Sequence, residues 1–139
     1  MSTDAATPHA TPYLQLGGET AVRALVDHFY DLMDLEPGYA ALRSLHPDSL
    51  DGSRDKLHWF LCGWLGGPDL YSQRLGHPRL RARHLPYAIG LLERDQWLAC
   101  MMSAMAEKRL DATLAERLAA SFFNTANWMV NRSPPAARP

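Results

Sequence analysis

The stretch that decides the fold is GHPRLRARHLPYAIG, Gly76 to Gly90. Leu80 and His84 stand four apart, so on a helix they share one face. Pro86 disfavours a helical backbone at Leu85. That places His84 at the frayed end of a short helical piece, with Leu85, Tyr87 and Ile89 as an apolar tail behind it. An imidazole there, preceded by Arg79, Arg81 and Arg83, suits a metal centre that carries negatively charged groups. It equally suits a core histidine beside a solvated basic turn, and the stretch alone leaves both readings open.

Downstream, a helix is predicted to begin between Gly90 and Arg94. Trp97, Leu98, Met101 and Met105 fall on one of its faces, with Cys100 and Met102 beside them. The last helix is predicted from Asp111 or Thr113, the latter in capping-box spacing with Glu116, to about Asn131. Leu114, Leu118, Phe122, Ala126 and Met129 form its inner face, with Trp128 beside them.

Upstream, Leu57, Phe60, Leu61, Trp64 and Leu65 follow the same template after a cap expected at Asp51 or Ser53. Gly66-Gly67-Pro68 stops that helix, and the residues from there to Gly76 read as a loop holding Tyr71 and Arg74. His58 falls off the apolar stripe and is expected to be exposed. A short helix over Tyr39 to Leu45 ends at His46-Pro47. Gly17-Gly18 opens the first long helix, with Val22, Leu25, Val26, Phe29, Leu32 and Met33 inward. Tyr30 sits on the edge of that face, where a phenol can bury its ring and aim its hydroxyl inside. No strand alternation and no internal repeat is visible, so the class is all-α with four substantial helices.

A chain of 139 residues is one ordinary domain. Its 14 basic and 15 acidic side chains give a formal charge of -1, which supplies no strong field for nucleic acid or an anionic membrane. Cys62 and Cys100 form no CxxC pair, so neither a zinc ribbon nor covalent haem attachment is available. Both lie in apolar helical patterns and fit a reducing compartment. Residues 1–12 and 133–139 read as disordered tails around a domain over residues 13–132. The first of these has no apolar run and is no signal peptide, and no segment reaches the about 20 apolar residues of a membrane span. A cytoplasmic address is expected.

Five stretches carry a likeness in their order and spacing: Phe29-Tyr30, LGGP at Leu65 to Pro68, LYS at Leu70 to Ser72, GHPRLRARHLPYAIG, and ERDQWLACM at Glu93 to Met101. Together they make the chain resemble the group II truncated haemoglobins over roughly Tyr13 to Arg132. The resemblance implies a shortened globin, a two-over-two helical sandwich enclosing one non-covalently held haem b. His84 matches the family's proximal iron ligand; His77 is the rival, but matches a loop feature that does not ligate. Arg83 and Tyr71 match partners of the haem propionates, and Leu61, Tyr87 and Met101 are expected against the haem. On the distal side Tyr30, His46 and Trp97 carry over as three candidate hydrogen-bond donors. Ser53 stands where many globins keep a distal histidine, Leu57 follows one turn later, and Phe60 belongs to the apolar wall. The function implied is reversible binding of oxygen and other diatomic gases, nitric oxide and carbon monoxide, at a five-coordinate ferrous iron with tight distal hydrogen bonding. The alternative is a redox enzyme acting on nitric oxide or peroxide. It would need a separate reductase, since the chain has no GxGxxG fingerprint for a flavin or nicotinamide. A monomer or homodimer is expected.

Overall fold

The computed structural model describes residues 10–132, and every regular element in them is helical. The expected tails over residues 1–9 and 133–139 lie outside the described residues. The order is α1 (Pro12–Leu16), α2 (Glu19–Leu35), a 3-10 turn (Pro37–Tyr39), α3 (Ala40–Arg43), α4 (Asp51–Trp64), α5 (Leu70–Leu75), α6 (Leu80–His84), α7 (Leu91–Glu107) and α8 (Ala112–Met129). Helices α2 and α4 pack as one pair, α7 and α8 as the other, and α2 lies against α7.

The core forms where the apolar stripes of these four helices meet. Val22, Leu25, Val26, Phe29 and Met33 from α2 meet Leu61 and Cys62 from α4, Cys100, Met101, Ala104 and Met105 from α7, and Leu114, Leu118 and Phe122 from α8. Burying each of the larger side chains contributes about 1.5–3 kcal/mol. Cys100 sits close enough to α2 for its thiol to donate to the Phe29 carbonyl at 3.2 Å. Both cysteines are buried and free. Ion pairs tie α4 to α2 on the outside: Arg54 reaches Asp27 at 3.2 Å and Asp31 at 2.7 Å, and Arg23 reaches Asp55 at 2.9 Å.

Several local expectations are corrected. Ordered structure starts inside the expected N-terminal tail, because Thr11 caps α1 by accepting from Leu14 N and the Tyr13 amide donates to Leu65 O at 2.9 Å. Helix α4 starts after Leu50 with no side-chain cap; Ser49 Oγ accepts from the Asp51 amide instead, and Ser53 lies within the helix. The stretch after Gly67 contains α5, whose start Asp69 caps by accepting from Ser72 N; six residues are too few to show a period. Leu85 keeps a right-handed helical backbone, φ −58 and ψ −34, despite Pro86. The turn closes with Tyr87 N donating to His84 O at 3.0 Å, which skips the proline that has no N–H to give. Asp111 rather than Thr113 caps α8, which stops at Met129 and leaves Trp128 59% exposed. His58 is buried at 4% exposure, because the start of α2 covers it: its Nε2 lies 3.2 Å from Glu19 Oε2 and its ring is 3.9 Å from Cys62 Sγ.

Candidate functional site

Helix α6 is only Leu80–His84, yet it fixes one ring firmly. His84 Nδ1 donates to the Leu80 carbonyl at 2.6 Å, the partner one turn back on the same face. That bond sets the tautomer: Nδ1 carries the proton and Nε2 keeps a free lone pair. The ring is half-buried, and the Tyr87 ring stands 6.5 Å from it. Tyr87 is 46% and Leu85 50% exposed, so the large apolar side chains that follow His84 in the chain are left uncovered. His77 does not share this arrangement. It is exposed, and its Nδ1 accepts from the Arg79 amide at 3.1 Å.

Arg83 and Tyr71, expected at separate propionates, lie together. The guanidinium lies 5.5 Å from the centre of the buried Tyr71 ring, and its Nη2 donates to the carbonyls of Leu75 and His77 at 3.3 Å. No carboxylate among the described residues pairs with Arg74, Arg79, Arg81 or Arg83, so α5 and α6 carry uncompensated positive charge.

Tyr30 on α2, Trp97 on α7 and His46 in the bend after α3 are the other candidate polar groups. Tyr30 is buried on α2, edge-on to Phe29 at 5.0 Å and to His46 at 5.8 Å. Burial pushes its phenol well above the usual range, against the opposing charge of Arg54, so it stays protonated. Trp97 on α7 is gripped between Phe29 at 5.2 Å and Phe122 at 5.3 Å. Neither the Tyr30 hydroxyl nor the Trp97 indole N–H is engaged by an acceptor among the described residues, so each keeps a proton to give.

The structure selects one tautomer for His46, a residue type that can donate or accept. Its Nδ1 donates to the Leu42 carbonyl at 3.0 Å, which turns Nε2 into an acceptor. Burial lowers its pKa below the ordinary histidine value; the Leu42 bond opposes this, while the charges of Arg43 and His84 add to it. The neutral ring thus has no proton left for a second partner.

Ser53, Leu57 and Phe60 lie partly exposed along α4, with Leu57 and Phe60 against the core and Phe60 6.3 Å from Trp64. Leu61 and Met101 are buried among core side chains, at 1% and 0% exposure. Asn131 was missed by sequence reasoning. It lies beyond α8, and its carboxamide bonds both His84 and Ile89. Only its distance in space reveals it, because nothing in the local pattern marks an asparagine after a helix end. A cavity of about 410 Å³ lined by Pro12, Trp64, Leu118 and Thr125 lies elsewhere and includes none of these residues.

The donor set decides what kind of group fits. No cluster of three or more His, Cys, Asp or Glu among the described residues would hold a bare metal ion. A single imidazole with a locked tautomer suffices only when other ligands already surround the metal, as in a macrocycle. Apolar flanks, nearby arginines and two opposed donors fit a flat, largely apolar group with acidic edges and a small polar ligand beyond it.

Residues 11–131 match the model of the bacterial-like globin family, and the chain belongs to that family. Within it, the similarity is to group II truncated haemoglobins. A group 2 truncated haemoglobin of Bacillus subtilis is 39% identical over 88% of this chain and 89% of its own length. Among solved structures, the group II two-on-two haemoglobin of Agrobacterium tumefaciens is 42% identical, with a TM-score of 0.87 over 96% of this chain and all of that one. The structure of a truncated oxygen-avid haemoglobin from Bacillus subtilis matches with a TM-score of 0.81 at 39% identity, over 88% of this chain and 100% of that one. These likenesses bear out the two-on-two truncated globin fold.

Proposed function

We propose that this chain binds haem b without a covalent link and uses it to bind oxygen and other diatomic gases reversibly. The observation that carries the reading is the His84 ring, with Nδ1 committed to the Leu80 carbonyl at 2.6 Å and Nε2 free beside exposed apolar side chains. The oxygen-avid haemoglobin similar to this chain supports the choice of ligand. Bound haem would supply an iron able to take up a small gas. His84 would hold that iron through its free Nε2. Arg83, steadied over Tyr71, offers its guanidinium to a propionate. Tyr87 covers the apolar face, with Leu57 and Phe60 opposite. Tyr30 and Trp97 each aim one proton into the distal space, where a polarised gas molecule gains about 1.5–3 kcal/mol per charge-assisted bond. His46 Nε2 serves as an acceptor beside Tyr30.

Replacing His84 by alanine tests the assignment. The purified variant is expected to lose the haem absorption band or to show a changed one, with altered gas uptake. Pigment retained with an unaltered spectrum and unaltered uptake would remove His84 from the site.

A further inference from the structure

The helix that carries His84 is poorly held by its own residues. None of Leu80–His84 is buried, no side chain caps the start, and Arg79 before it adopts a left-handed backbone, φ 46 and ψ 54. What fixes the helix comes from the far end of α8. Arg81 Nη1 donates to the carbonyls of Trp128 and Val130, the latter at 3.2 Å. Asn131 does more. Its Nδ2 donates to the His84 carbonyl at 3.1 Å, and its Oδ1 accepts from the Ile89 amide at 3.0 Å. Its own amide donates to the Ile89 carbonyl at 2.9 Å, and Arg132 N donates to the same carbonyl at 3.1 Å. The amide orientation is dictated by these partners, because a carbonyl must face Nδ2 and an N–H must face Oδ1.

We propose that Asn131 is a positioning residue for the proximal imidazole. Its carboxamide spans the turn from His84 to Ile89 and sets where α6 ends relative to α7. The His84 side chain leaves the same residue whose carbonyl Asn131 holds, so the height and tilt of the ring depend on that bond. The apolar core does not substitute for it, since α6 buries nothing. The inference rests on the haem reading above and concerns how tightly His84 is aimed.

Asn131→Asp is the informative change, because it keeps an acceptor for the Ile89 amide and removes the donor to His84 O. Asn131→Leu removes both. The test measures the iron–histidine stretching band of the ferrous holoprotein by resonance Raman, and the rate of haem loss to an excess of apomyoglobin. Met129→Ala, a truncation of a buried residue at the end of α8 that leaves Asn131 in place, is the structural control. Both Asn131 variants are expected to shift or broaden the band and to lose haem about tenfold faster, the equivalent of one hydrogen bond. Met129→Ala is expected to lower the melting temperature without moving the band. An unmoved band and an unchanged rate in Asn131→Asp overturn the proposal, and so does an equal band shift in Met129→Ala. If the parent shows no such band, or His84→Ala retains it, the haem ligand assignment has failed and the positioning role falls with it, an outcome distinct from an unmoved band in Asn131→Asp alone.

Discussion

Of the three polar side chains proposed for the distal side, two keep a proton to give and one does not. Tyr30 and Trp97 have free donors among the described residues, whereas His46 spends its only proton on the Leu42 carbonyl. Trp97→Phe removes one donor but keeps an aromatic ring against Phe29 and Phe122. Oxygen dissociation is then expected to speed up by about 10- to 100-fold in stopped-flow; an unchanged rate would take Trp97 out of the mechanism. His46 also bears on stability. Its folded pKa lies below 6.5, chiefly through burial. The unfolded chain therefore binds this proton first as pH falls, so stability is intact above pH 6.5 and is lost below it, down through the folded pKa. His46→Phe is expected to flatten that acid-side loss in urea titrations run at a series of pH values. A slope as steep as the parent's would assign the loss to other groups.

The elements are held to one another by contacts that tolerate little change. The LGGP turn shows why. Gly66 has a φ of +98, and a Cβ on Gly67 would lie 2.6 Å from the Tyr13 ring. The two glycines let α1 lie against the end of α4, where the Tyr13 amide reaches Leu65 O and Gly67 N reaches Cys62 O at 2.8 Å. Gly67→Ala is expected to destabilise by about 1–3 kcal/mol through overpacking, read as a lower urea midpoint with the slope unchanged. A midpoint equal to the parent's would mean that α1 can move aside at no cost. The ion pairs between α2 and α4 matter less, because their carboxylates are 40–54% exposed and such pairs contribute at most about 1 kcal/mol.

For the whole molecule, the sealed core controls its thiol chemistry. Burial raises the Cys62 thiol to about 11, with Glu19 adding to it, and raises Cys100 to about 12. Neither supplies thiolate at neutral pH, and neither is exposed to a reagent. Iodoacetamide is expected to label no cysteine at residues 62 and 100 in the native protein and both after denaturation, by mass spectrometry. Native labelling at either position would show that the core opens. The same closure buries Leu61 and Met101 on the helices that carry the two cysteines. Among the described residues no helix is long and apolar enough to cross a membrane.

The amino-acid sequence by itself determined the four long helices, because their apolar stripes repeat over 14 to 18 residues and a periodic signal grows with length. It also marked His84, Tyr30 and Trp97 as candidates, through stretches that resemble the group II truncated haemoglobins. Short elements escaped it: α5 has six residues and one cap, and the backbone of Leu85 follows the closing turn rather than the proline rule. Only the tertiary structure decided the burial of His58, which a residue 39 positions away covers, and the tautomer of His46, which a carbonyl at 3.0 Å selects. It alone joined Asn131 to His84 across 47 positions. A hydrogen bond between distant residues leaves no period in the chain, so it is legible only once the helices have packed.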